Sequence, residues 1–174
     1  MRRPPGFTLI EMLVALVVLT VLLTVGIPAF RVTLEHQRIS AALFLLSAEF
    51  ASARMTAITH GDVVALCPLA GLASCSDDSD WSQGLLMFRG RRRDTQPEAD
   101  TILRVARRPV HASIGLRSSQ GRRALQFHPD GRSSGSNLRI RLCLEGRLRG
   151  EVVVNNAGRI RSRRLPGVQG CQGQ

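Results

Sequence analysis

The chain has 174 residues, 44% of them hydrophobic, and 24 basic side chains against 13 acidic ones give a formal net charge of +11. That length, with an apolar first segment, leaves room for one small domain with its own core. Its four cysteines form no C-x2-C pair, and its four histidines (His36, His60, His111, His128) stand far apart, so no metal site, cofactor or catalytic constellation is expected.

The chain opens on two arginines, Arg2 and Arg3, followed by Gly6-Phe7-Thr8-Leu9-Ile10-Glu11 and an apolar run over 12–30. About 20 such residues cross a bilayer as a helix. Glu11 is the one charge in the run, and a carboxylate costs up to about 2.5–3.5 kcal/mol at mid-membrane, less near the edge. A secretory signal would have a shorter apolar core and a small-x-small exit; here the only exit, Gly26-Ile27-Pro28-Ala29, is weak. A plain anchor explains the length but neither Gly6 nor Glu11. The basic start places the N-terminus in the cytoplasm and the rest beyond the membrane. In that oxidising compartment four cysteines suit two disulfides. Cys67 with Cys75 and Cys143 with Cys171 is the expected pairing, and two other connectivities remain open.

Behind the apolar run, Ile39, Leu43, Leu46, Phe50, Ala53 and Ala57 step by four and three, one stripe of a helix reaching about Thr59. Glu35, Arg38, Glu49 and Arg54 fall off the stripe, and His60-Gly61 ends the helix. Pro28 kinks rather than ends it. The period then changes to two. Strands are expected at 63–67, 85–88, 101–107, 112–116, 124–127, 138–142, 151–154 and, if the segment is extended, 158–164. Residues 68–80 read as a loop and 89–100 as a charged loop. In 138–142 Leu138, Ile140 and Leu142 face a core while Arg139 and Arg141 face water. The tail reads as loose except at Cys171. The expected fold class is α+β: a long N-terminal helix packed against an antiparallel sheet in a head domain, 31–174.

GFTLIEMLVALVVLTVL resembles the leader and first helix of type IV pilins and type II secretion pseudopilins. The resemblance implies a leader of residues 1–6 cut after Gly6 by a prepilin peptidase and N-methylation of Phe7. It also implies an assembly helix over 7–30 and pairing of Glu11 with a neighbouring subunit's terminal amine. The protein would sit in the bacterial inner membrane before joining other pilins in an extracellular filament. Three further segments are similar to the GspH/FimT minor pilin family: Cys67-Pro68 with Trp81-Ser82-Gln83-Gly84 and its apolar sequel, Phe127-His128-Pro129-Asp130-Gly131-Arg132, and Gly158-Arg159-Ile160-Arg161. Leu85 stands where that family often has an aromatic residue. The last motif implies DNA binding in natural transformation.

The charge distribution is independent of any resemblance. Residues 1–100 hold nine arginines against ten acids, and residues 101–174 hold fifteen against three. A surplus of that kind suits a polyanion partner. In an extended 158–164, Arg159, Arg161 and Arg163 share one face about 6.6 Å apart, and Arg164 faces the other way. Guanidinium groups bind phosphate by bidentate charge-assisted hydrogen bonds. With no aromatic residue near, contacts go to duplex backbone without reading sequence. Arg139, Arg141, Arg147 and Arg149 are candidates to widen the basic surface. Arg89 and Arg91–Arg93, followed by acids, read as a solvated loop. The competing reading is a purely structural minor pseudopilin or pilus-priming pilin, whose charged edge strand resists aggregation.

Overall fold

A computed structural model describes residues 8–90, 97–107, 110–119 and 122–171. It divides into two compact units, Met1–Gln37 and Arg38–Gln174. Helix α1, Leu9–His60, contributes to both. Gly6 and Phe7 lie outside the described residues.

In the first unit the helix is predominantly apolar over 12–30, and the described side chains of that stretch are exposed. One 18-residue window has a mean hydropathy of 2.6, which by length and composition suffices to cross a membrane. Thr8 caps it: the threonine hydroxyl accepts the Glu11 backbone N–H at 3.3 Å. Thr8-Leu9-Ile10-Glu11 is therefore also an N-terminal capping sequence, which stops the first turn from fraying. The helix passes through Pro28 without interruption.

In the second unit the expected stripe is the buried face of the helix: Ile39, Leu43, Leu46, Phe50, Ala53 and Ala57 are all covered. They pack with side chains of two antiparallel sheets. The first sheet orders β2 (Ser74–Cys75), β1 (Val64–Ala70), β3 (Gly84–Arg89) and β4 (Ile102–Arg107), with β6 (Leu125–Phe127) also paired to β1. The second orders β5 (Ile114–Ser118), β7 (Leu138–Leu144), β8 (Arg147–Val154) and β9 (Ile160–Arg164). Phe50 meets Trp81 edge-on, ring centroids 6.2 Å apart, the geometry that the opposed quadrupoles of face and edge favour.

The two sheets differ in how they meet water. Strands β1 and β3 are buried on both sides, because Ala65, Cys67, Leu69, Leu86 and Phe88 form a second cluster away from the helix. This is why 63–67 and 85–88 read as unbroken apolar runs. The second sheet buries one face only: Leu138, Ile140, Leu142 and Leu144 are covered while their neighbours alternate outward.

Four expectations need correction. Pro68 is not the start of a loop; it pairs with Leu85 inside β1. Its carbonyl accepts Ser76 N–H at 2.8 Å on the β2 side. The missing proline N–H would point the same way, so the ladder to β3 loses nothing. Glu49 is off the stripe yet buried, and it holds Arg104 of β4 at 2.8 Å. Strand β8 begins at Arg147, four residues before the expected start, after a register shift between Leu142 and Cys143. The tail is not loose: Leu165 N–H donates to Arg149 O, Leu148 N–H to Gln169 O and Cys171 N–H to Gly146 O. The disulfides join Cys67 to Cys75 and Cys143 to Cys171.

Candidate functional site

The β8–β9 hairpin positions the arginine segment. Its turn is held by Asn155, whose side-chain oxygen accepts Arg159 N–H at 2.9 Å and whose carbonyl accepts Gly158 N–H at 2.9 Å. Gly158 has φ +74°, and a Cβ there would collide with the Gly131 carbonyl oxygen. Arg54 of the helix donates its Nε–H to that same oxygen at 2.9 Å. The Phe127–Arg132 segment, the Gly158 turn and the helix therefore meet at one point. Gly158 is buried; it shapes the turn and is not itself on the surface.

Strand β9 begins at Ile160, so Arg159 lies in the turn and not on the strand as the extended reading supposed. The register then sorts the rest. Val152 and Val154 of β8 are in the core, and they pair with Ser162 and Ile160. Val153 and Glu151 face outward, and they pair with Arg161 and Arg163. Arg164 pairs with Gly150 and so takes the other face, as expected. All four arginines are exposed.

The outward face extends beyond the motif. One cross-strand row runs Arg117, Arg141, Glu151, Arg163; the next runs Arg139, Val153, Arg161. With strands about 4.8 Å apart, these five arginines occupy one sheet face. Arg139 and Arg141 were expected to join such a surface. Arg147 does not: it pairs with Leu144, whose side chain is in the core. Arg117 was missed, although its place between buried Leu116 and Ser118 is a period-two signal.

Glu151 is the one acid in this array, and it is only 3% exposed. It ties Arg163 (Nε to Oε1, 2.6 Å) and Arg139 (3.3 Å). Among the described residues nothing ties the side chains of Arg159, Arg161 or Arg164. Other arginines of the basic half serve the fold. Arg122 is buried and donates to the carbonyl oxygens of Ala124 and Ser136 and to the Ser133 hydroxyl. Arg107 holds Leu72 O, and Arg123 holds Asp77 O. The surplus therefore overstates the free positive surface. Arg89 pairs with Asp62 at 3.8 Å; Arg91–Arg93 lie outside the described residues.

Trp81 and Gly84 explain their motif by packing. Trp81 is buried under the helix, and its backbone N–H donates to Leu116 O, which links the two sheets. Gly84 has φ +134° and approaches the Ala106 backbone too closely for a Cβ. His128 lies in a turn, where its backbone N–H donates to Arg132 O.

No curated protein matches the chain. Two crystal forms of the type IV minor pilin FimU from Pseudomonas aeruginosa PAO1 share its fold. One is 22% identical with a TM-score of 0.59, covering 80% of this chain and 96% of that one. The other is 22% identical with a TM-score of 0.54, covering 76% and 96%. Residues 1–27 match the prokaryotic N-terminal methylation motif. Residues 45–158 match the family described as type II transport protein GspH; Arg159 and Arg161 lie just beyond that match. The chain belongs to the GspH family of minor pilins and pseudopilins and carries their N-terminal methylation motif.

Proposed function

We propose that this protein is a minor pilin of a type IV pilus that holds extracellular DNA for uptake in natural transformation, by phosphate contacts from Arg159, Arg161, Arg163 and Arg164. The observation that carries the reading is the outward face of β9, where exposed Arg161 and Arg163 continue a basic sheet face built by Arg117, Arg139 and Arg141. Gly158 acts through the turn that presents Arg159. Flat arginine arrays contact backbone phosphate and carry no base code, so binding is sequence-independent and favours duplex. The leader is cut after Gly6, Phe7 is methylated by the prepilin peptidase, and Glu11 pairs with a neighbouring subunit's amine during assembly. The protein waits in the inner membrane and then leaves it for the filament. The cysteine pairs keep the head closed outside the cell.

The test is duplex binding by the full chain in a nonionic detergent at low salt, with and without Arg159→Gln plus Arg161→Gln. Binding by the wild type and its loss in the double variant are expected. Equal binding by the two, or none by the wild type, returns the protein to a structural subunit of a pilus or a type II secretion system. Intact mass checks the processing: a chain starting at methylated Phe7 is expected, and a start at Phe30 overturns it.

A further inference from the structure

Strand β9 ends the second sheet, and among the described residues no strand pairs with its outer edge. The hydrogen bonds at the two ends of the β8–β9 pairing fix which residues turn outward. Asn155 N–H donates to Arg159 O, and Leu165 N–H donates to Arg149 O. Directly opposed residues of an antiparallel ladder alternate between bonded and non-bonded pairs. Arg161 and Arg163 therefore turn their backbone groups to β8. Ile160, Ser162 and Arg164 turn N–H and C=O away from it, three donors and three acceptors in a row. Among the described residues no partner meets them.

Beside that edge lies a flank of the helix that the head leaves uncovered. A Cβ at Gly150 would meet the Leu43 side chain, and one at Gly158 would meet Arg54. The β8–β9 hairpin therefore runs along the side of the helix that carries Leu43 and Arg54. From Leu43 to Arg54 the helix rises about 16 Å, and Gly158 to Arg164 spans about 20 Å of strand. At about 100° per residue, Ile58, Ala51, Phe44 and Met55 follow Arg54 round that same side. With Ala48 they step by four and three, a second apolar stripe, and all five are exposed. The opposite flank carries Glu49, which holds Arg104 of β4. At β9 the sheet overhangs the helix. Ser162 and Arg164 share its core-side face yet are exposed, although Val152, opposite Ser162, is buried.

We infer that this corner, the outer edge of β9 with the helix stripe beside it, takes an extended acidic segment of another protein as an added strand. The outward backbone groups of Ile160, Ser162 and Arg164 supply the ladder, and main-chain bonds of that kind give such complexes their affinity. Side chains of the added strand alternate. Every second one turns toward Phe44 and Met55 and is apolar. The others turn outward beside Arg161, whose side chain nothing ties among the described residues, and opposite charges across a ladder favour glutamate or aspartate there. A second copy of this chain does not fit. Its β4 edge carries exposed Arg104 and Arg107, and its β9 carries this same arginine row, so like charges would face each other. The site is built from backbone and helix, and it stands whether or not the arginines hold DNA.

The experiment uses the full chain in nonionic detergent and a short capped peptide alternating valine and glutamate. Its controls are a scrambled peptide of the same composition and two N-methylated forms, one at every valine amide and one at every glutamate amide. In antiparallel addition the residues that bond to Ile160, Ser162 and Arg164 share their face, so the valine amides point at β9. The parent peptide is expected to bind, methylation at valine to abolish binding, and methylation at glutamate to spare it. Ser162→Pro removes an N–H that already points away from β8, so the β8–β9 ladder stays whole. It should weaken the peptide by about tenfold and leave duplex binding unchanged. Phe44→Ser with Met55→Ser, both at exposed positions, should weaken it comparably. The inference is overturned if the parent peptide does not bind, if the scramble binds as well, or if both methylated forms bind alike. The methylated peptides need no variant, so they decide the matter even where Ser162→Pro fails to fold. A chain that takes the peptide but no duplex sinks the duplex reading and leaves the added strand standing.

Discussion

Arg163 donates its Nε–H to Oε1 of Glu151 at 2.6 Å, across one rung of the β8–β9 ladder. Arg161, two residues earlier on the same face, has no such partner among the described residues. The two arginines are thus unequal toward a polyanion. Arg161→Gln is expected to weaken duplex binding more than Arg163→Gln, whose charge is already partly answered. Three to four phosphate contacts give a log–log salt slope of about −3, and losing Arg161 reduces it by about 1. Titrations across a salt series measure both; equal losses for the two variants would show that Glu151 does not screen Arg163.

Gly158 and Gly146 offer a matched pair. Both have positive φ, +74° and +72°. Around Gly146 no heavy atom lies within 4 Å of a built Cβ, whereas at Gly158 the Gly131 carbonyl blocks it. Gly146→Ala should cost about 1–2 kcal/mol for the left-handed backbone alone. Gly158→Ala should cost clearly more, since the clash adds to the same backbone term. Urea unfolding of both variants gives the difference directly, and similar midpoints would mean the turn yields freely.

Phe50 is fully buried and edge-on to Trp81. Phe50→Ala should lower stability by about 3–5 kcal/mol, because the packed cavity cannot collapse around both sheets and the helix. Phe44→Ala, on the same helix but 73% exposed, should change little. Thermal unfolding of the two separates core packing from helix propensity.

The disulfides close chain segments of 8 and 28 residues. On loop entropy, breaking Cys143–Cys171 removes about 3–4 kcal/mol and breaking Cys67–Cys75 about 2–3 kcal/mol. Serine pairs at each site, compared by denaturation, test the order. A larger loss at Cys67 and Cys75 would indicate that their second core cluster, not chain entropy, dominates.

Much of the helix was legible from spacing: the 39–57 stripe repeats at the helical period, and every member is buried. The alternation of Leu138 to Leu142 was equally legible, since strand pleat is a local property. Strand ends were read less well. Pro68 looked like a stop because a proline usually removes a ladder bond, yet here the missing donor lies on the β2 side and the pairing with Leu85 of β3 is kept. Glu49 looked like a surface residue because the arginine that accompanies it stands far along the chain in β4.

At the candidate site, local chemistry settled that Arg161 and Arg163 share a face and that Arg164 leaves it, because successive strand residues alternate. It could not settle which distant residues join them. Arg117, Arg141, Glu151 and Arg163 line up in one row only because the apolar faces of β5, β7 and β8 must all turn toward the same core, and that burial selects the register. The same register puts a buried carboxylate between two arginines, Glu151 between Arg139 and Arg163.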